Sequence, residues 1–248
     1  MYRDEMIKVG CCGWGFLRPR DFLGNRANKF KSVLQAYSSL FPCVEVNSTF
    51  YKIPRLSTTE KWREQVDEIN KKFEFSVKCN QLITHQLKFS KASVNLFDSM
   101  KEICKVLGAK ILLFQSPASF KPSDENVRRM EEFFEKIERE KLILVWEPRG
   151  EWHKKPELIK KICKKFDLVE CVDPFRNEPL YFGKEKIAYF RLHGFGLRSI
   201  YNYNFSKREL EQLKEKVLRL EKSTEEIWVM FNNVMMYKNA LEFLEIIK

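Results

Sequence analysis

With 248 residues, 44% of them hydrophobic and 21 of them Phe, the chain has the apolar content of one large packed core, which excludes a disordered polymer. No apolar run approaches the roughly 20 residues of a membrane-spanning helix, and residues 1–6 mix both charge signs without the apolar core of a secretory signal. No membrane association and a cytoplasmic location are therefore expected. The formal net charge of +11 keeps phosphate-bearing partners in view, nucleic acid among them. The seven cysteines are an odd number without a CxxC spacing, which argues against a disulfide framework or a zinc ribbon.

In chain order, Ile7 to Cys12 reads as a first strand, on which Cys11 and Cys12 point to opposite faces. A helical period follows over Val33 to Leu40. A second strand, Cys43 to Val46, precedes a helix over Thr58 to Ile69; a third, Phe73 to Val77, precedes Ser93 to Leu107; a fourth, Ala109 to Phe114, precedes Asp124 to Ile137. Leu142 to Trp146 is followed by a helix over Pro156 to Phe166, and then comes Leu168 to Val172. The next connection, Asp173 to Lys186, carries Pro174, Pro179 and Gly183 and no helical period, so a loop is expected in place of the sixth helix. Ile187 to Leu192, a helix over Lys207 to Leu220, Ile227 to Phe231 and a helix over Tyr237 to Ile247 complete the chain.

Strand and helix alternate at the spacing of βαβ units, about 30 residues each, which calls for a parallel sheet covered on its faces. Eight such units point to an α/β fold, a single (β/α)8 TIM-like barrel in one domain over residues 1–248. An open doubly wound sheet competes, but no GxGxxG fingerprint follows the first strand; Gly10, Gly13 and Gly15 are too irregular.

In such a barrel the carboxyl ends of the strands carry the active face, and here they are consistently polar. Glu45 and Asn47 follow the second strand, Lys78 the third, Gln115 the fourth, Glu147 and Arg149 the fifth, Asp173 the sixth, Arg191 and His193 the seventh, Asn232 and Asn233 the eighth. Residues two apart share a strand face, so Glu45 with Asn47, Glu147 with Arg149, and Arg191 with His193 can each point together into one pocket. A single charged residue leaving a strand is usually only solvated; seven strands ending this way converge on one concave site.

By residue type, Glu147, Glu45, Lys78 and His193 are the candidates for proton transfer. Arg149 and Arg191, with Gln115, Asn47, Asp173, Asn232, Asn233 and Tyr51, are the candidates for holding substrate, and arginine favours a phosphate or carboxylate. No cofactor is required. A divalent metal on Glu45, Glu147, Asp173 and His193 is the alternative, weakened by a histidine count of three with no HxH or HExxH. The expected function is acid/base chemistry on an anionic, phosphorylated or sugar-like small molecule, as a hydrolase or an isomerase/lyase. The competing expectation is a nucleic-acid-binding protein or a metal-assisted phosphodiester hydrolase. It rests on the charge and on the aromatic-basic stretch Phe195 to Phe205, with Arg198, Tyr201 and Tyr203. Those tyrosines can equally pack over the barrel mouth as a lid.

The same segments resemble one known family. Val44-Glu45-Val46-Asn47-Ser48-Thr49-Phe50-Tyr51 with Pro54, Phe75-Ser76-Val77-Lys78, and Leu113-Phe114-Gln115-Ser116-Pro117 with Ser119 and Phe120 carry the likeness. It continues through Glu147-Pro148-Arg149 with Trp152, Arg191-Leu192-His193-Gly194, and Phe231-Asn232-Asn233 with Asn239 and Ala240. These are similar to the YecE-like proteins, domain-of-unknown-function family 72, over nearly the full length. The resemblance implies a TIM barrel and supplies no reaction. Gly150 and the Cys11-Cys12 pair depart from the pattern of many members.

Overall fold

In a computed structural model that describes residues 6–248, eight parallel strands close into a barrel in chain order. They are β1 (Ile7–Cys11), β2 (Cys43–Val46), β3 (Glu74–Lys78), β4 (Ile111–Gln115), β5 (Ile143–Glu147), β6 (Leu168–Val172), β7 (Ile187–Leu192) and β8 (Glu226–Phe231). The α-helices are α1 (Pro19–Leu23), α2 (Val33–Ser38), α3 (Leu56–Asp67), α4 (Val94–Leu107), α5 (Asp124–Lys136), α6 (Pro156–Phe166), α7 (Lys207–Leu220) and α8 (Met236–Ile247). Closure is completed by β8 on β1, with Ile7 opposite Ile227 and Cys11 opposite Phe231. Among the described residues no helix is long and apolar enough to cross a membrane.

Side-chain alternation divides the strands into two cores. The barrel interior holds Cys43, Ile111, Leu113, Val145, Tyr189 and Trp228, with Cys12 and Cys171 above them. The outward residues, such as Val9, Phe75, Phe114 and Phe190, join the apolar faces of the helices in a larger shell. Cys11 lies in that shell and Cys12 in the interior, so the adjacent pair does face opposite ways. Gly10 is inward-facing, and a Cβ there would lie 2.3 Å from the Cys43 carbonyl oxygen; only glycine lets β1 approach β2 so closely. The amino end of the barrel is closed by ions: Lys8 pairs with Glu74 and Glu226, and Lys110 reaches Glu226 at 2.5 Å and Glu74 at 3.4 Å.

Strands β3, β4 and β5 run one residue further than the apolar runs indicate, because the ladder continues through the inward polar residues Lys78, Gln115 and Glu147. The short helix α1 has no counterpart in the apolar pattern, α2 stops at Ser38, and α3 begins two residues before Thr58. Where the sixth helix is missing, residues 173–186 form a loop that covers β6, with Leu180, Tyr181 and Phe182 packed on the shell. Glu170, outward-facing and 2% exposed, accepts a 2.6 Å hydrogen bond from the Leu180 amide, and burial raises its pKa to about 7.

Candidate active site

At the carboxyl ends of the strands the inward polar residues do converge, and their centre is an arginine. Arg191, on β7, is fully buried. Its Nε and Nη2 donate to the two oxygens of Glu45 at 3.0 and 2.9 Å, a bidentate pair across the barrel from β2. Its Nη1 donates to Glu147 Oε2 at 2.7 Å and to Gln115 Oε1 at 3.3 Å. Tyr189, one inward position below, donates to Glu45 Oε2 at 3.0 Å and lies 2.8 Å from Ser76 Oγ. One cation thus ties β2, β4, β5 and β7 together. The sequence offers Arg191 as a holder of a substrate anion; in the structure its guanidinium is engaged by two carboxylates beneath the mouth.

Arg149, unlike Arg191, reaches the surface of the site. Its Nε and Nη2 donate to Glu147 Oε1 at 2.9 and 2.6 Å, its Nη1 lies 3.4 Å from Tyr201 Oη, and its Nη2 is 2.9 Å from His193 Nε2. A guanidinium only donates, so His193 Nε2 accepts and the ring proton sits on Nδ1, 3.8 Å from Asp173 Oδ2. Asp173 also accepts from the His193 and Phe175 amides, fixing the turn after β6 against the end of β7.

Burial by itself would raise the Glu147 pKa, but the Arg191 and then the Arg149 guanidinium outweigh it and hold the carboxyl well below the usual carboxylate range. Glu147 is therefore an ionised clamp, which removes it as a proton donor. Burial lowers the pKa of His193, with Arg191 and Arg149 adding to the effect against Asp173 and Glu147, so the imidazole is neutral at pH 7.

The third cation stands apart. Lys78 ends β3, 6% exposed, with its ammonium 4.0 Å from the centre of the Phe50 ring. Burial, helped by Arg191, lowers its pKa to about 8. His85, seven residues on, packs edge-on against Phe50 at 4.9 Å; burial and the Lys78 charge bring its pKa down to about 4.

A cavity of about 390 Å³ opens beside this network, lined among others by Glu147, Arg149, His153, Asp173, Arg176 and His193. It lies within the size range of small-molecule sites. Tyr201 closes part of the mouth, edge-on to His193 at 5.3 Å, whereas Tyr203 turns away and donates to Glu209 at the start of α7 at 2.5 Å. Gly194, at φ +102°, turns the chain directly after His193, and a Cβ there would lie 2.3 Å from that of Tyr203.

The remaining expected residues sort differently. Asn233 Nδ2 donates to the Tyr203 carbonyl and to Asn239, so it fastens the loop after β7 to α8, while its buried Oδ1 has no hydrogen-bond partner. Asn232 is half-buried, Tyr51 is 70% exposed on the rim, and Asn47 carries a buried Oδ1 without a hydrogen-bond partner. His85, His153 and Arg176 join the mouth without having been expected there. Each stands in the connection after a strand, four to eight residues past the apolar run, where strand alternation no longer dictates direction.

No group of three or more His, Cys, Asp or Glu side chains among the described residues is placed to hold a metal. The oxygens of Glu45 and Glu147 are taken by arginines, so the donor set expected for a divalent ion does not fit one as it stands.

The model of a family described as "Protein of unknown function DUF72" matches residues 8–247. The UPF0759 protein YunF of Bacillus subtilis is 27% identical over 92% of this chain and 89% of its own length. A DUF72 family protein of Thermotoga maritima superposes with a TM-score of 0.75 at 26% identity, covering 97% of this chain and 98% of that one. A D-psicose 3-epimerase of Clostridium cellulolyticum H10, solved with D-tagatose, gives a TM-score of 0.54 at 10% identity over 88% of this chain and 93% of its own, a likeness of fold.

Proposed function

The chain belongs to the DUF72 family, and from that premise we propose that its barrel mouth is the active site of an enzyme that moves protons on an anionic, phosphorylated or sugar-like small molecule. The observation that carries this is the 2.9 Å contact between Arg149 Nη2 and His193 Nε2 at the wall of the 390 Å³ cavity. A phosphate or carboxylate arriving in the cavity competes for the Arg149 donors. As Nη2 turns to the anion, His193 Nε2 loses its donor and becomes a free base, held in direction by Asp173. Anion binding and base release are one motion.

Arg176, exposed at the cavity rim and 2.7 Å from the Gly194 carbonyl through Nη2, supplies a second cation. Glu147 and Arg191 set the position of Arg149 and do not exchange protons. The barrel likeness to an epimerase solved with a ketose agrees with a sugar-like substrate.

A second reading, nucleic-acid binding, is favoured by the rim itself. Phe16 and Tyr51 are 88% and 70% exposed beside Arg18 and Lys52, the arrangement that stacks bases and contacts phosphates. A thermal-shift panel of sugar phosphates, organic acids, and short single- and double-stranded DNA separates the two. Stabilisation by a small phosphate ester that disappears in Arg149→Ala is the expected result. Stabilisation by DNA alone, abolished by 0.2 M salt on the order expected for phosphate contacts, would replace this reading with the second.

A further inference from the structure

We propose that Lys78 is an imine-forming residue, whose ε-amine condenses with the carbonyl group of an open-chain aldose or ketose phosphate bound at the mouth. The inference rests on the anion-pocket reading and names the substrate class for it.

Lys78 differs from the two arginines of the site in having no carboxylate within ion-pair distance among the described residues. Its partner is the aromatic face of Phe50, a surface that holds an ammonium by cation–π attraction. A lysine with a structural purpose is normally paired when buried. This one is 6% exposed, inward-facing and seated with care. The Thr49 hydroxyl lies 2.7 Å from the Lys78 carbonyl and 2.6 Å from that of Val46, and Asn80 Nδ2 donates to the Thr49 carbonyl at 2.8 Å. The segment Val44 to Tyr51 therefore contributes Glu45 to the arginine network and Thr49 and Phe50 to the seat of Lys78. Val46 pairs with Val77, so Asn47, with its unpartnered buried Oδ1, stands across the ladder end from Lys78. It is an acceptor suited to a carbinolamine hydroxyl.

The chemistry closes without another reagent. The neutral Nζ attacks the carbonyl carbon, the C–N bond forms and the C=O π pair moves to oxygen. One N–H proton passes to that oxygen to give the carbinolamine; a second leaves with the hydroxyl as water, and the C=N bond remains. His85, neutral and with Nδ1 2.8 Å from Thr84 Oγ1, leaves Nε2 to relay those protons. With a pKa of about 8, Lys78 has roughly 200-fold more neutral amine at pH 7 than an ordinary lysine. Once protonated on nitrogen, the imine takes up the electron pair of the adjacent C–H bond and so acidifies that C–H, which suits the proton transfer assigned to His193.

The test incubates the whole protein at pH 7 with D-glyceraldehyde 3-phosphate and sodium cyanoborohydride, followed by intact mass and peptide mapping. One adduct at Lys78, slowed at least tenfold by glycerol 3-phosphate, which has the anion but no carbonyl, is the expected outcome. Lys78→Arg abolishes it, and the map of the unmodified protein stands whether or not that variant folds. Adducts scattered over surface lysines with Lys78 spared, while glycerol 3-phosphate still raises the melting temperature, overturn the imine and leave the pocket reading intact. Lys78 labelling that glycerol 3-phosphate does not slow keeps the imine and removes the anion pocket; neither adduct nor stabilisation removes both.

Discussion

Replacing Arg191 with methionine removes the one cation that Glu45 and Glu147 share. The guanidinium makes four hydrogen bonds there, at 3.0, 2.9, 2.7 and 3.3 Å, and its side chain is 1% exposed. Breaking a buried pair from one side costs about 3–5 kcal/mol, because the partner charge stays desolvated. For a chain of this size that is a fall in melting temperature of roughly 6–20 °C. The pH dependence gives the sign. In the native protein Glu147 has a depressed pKa, so its contribution is complete above the unfolded carboxylate range and is lost as pH falls through the folded value. In the variant the same carboxyl keeps its burial and loses its main cation, so its folded pKa rises above the unfolded one. The penalty is then largest at neutral pH and shrinks towards about pH 4. Urea denaturation followed by tryptophan fluorescence at pH 7 and pH 5 measures both, and Glu45→Gln with Glu147→Gln added to the variant recovers at least half the loss. A loss below about 1 kcal/mol, or one equal at both pH values, would refute the buried-network argument.

Arg149→Ala removes the donor on His193 Nε2 together with a positive charge, so the pKa of His193 rises; histidine-resolved NMR over pH 4–8 reads it, and the chain has only three histidines to assign. Lys78 has a lowered pKa, so unfolding takes up protons between about 8 and the ordinary lysine value, and stability attributable to this residue rises with pH across that window. Lys78→Met flattens that rise and changes stability at pH 7 by less than about 2 kcal/mol in either direction, since a buried unpaired cation is replaced by an apolar chain of similar length. Gly194→Ala forces a Cβ onto Tyr203 at a left-handed φ and costs about 1–3 kcal/mol, with the loop after β7 losing amide protection first in hydrogen exchange.

The barrel was legible because the apolar runs of β2, β6 and β7 end where the ladder ends, and the loop after β6 carries its prolines openly. The same reading cut β3, β4 and β5 short at the last apolar residue, since an inward Lys78, Gln115 or Glu147 looks like a turn until the barrel closes around it. Alternation identified which polar residues share a face. It could not show that Arg191 is consumed by Glu45 and Glu147, because that depends on how far across the barrel a guanidinium reaches. Nor could it separate Asn233, turned to the Tyr203 carbonyl, from Asn232 beside it. His85 and Arg176 sit in connections after strands, and their directions are set by Phe50 and by the Gly194 carbonyl, contacts between segments far apart in the chain.

Calorimetric titration with glycerol 3-phosphate, in the native protein, in Arg149→Ala and in Arg198→Ala, which changes an exposed residue of the loop after β7, tests the central claim most directly. Binding lost by at least tenfold in Arg149→Ala and retained in Arg198→Ala is the predicted result. Binding that survives the loss of Arg149 but falls with Arg198 would place the anion on that loop and contradict an active site built on the Arg149–His193 pair.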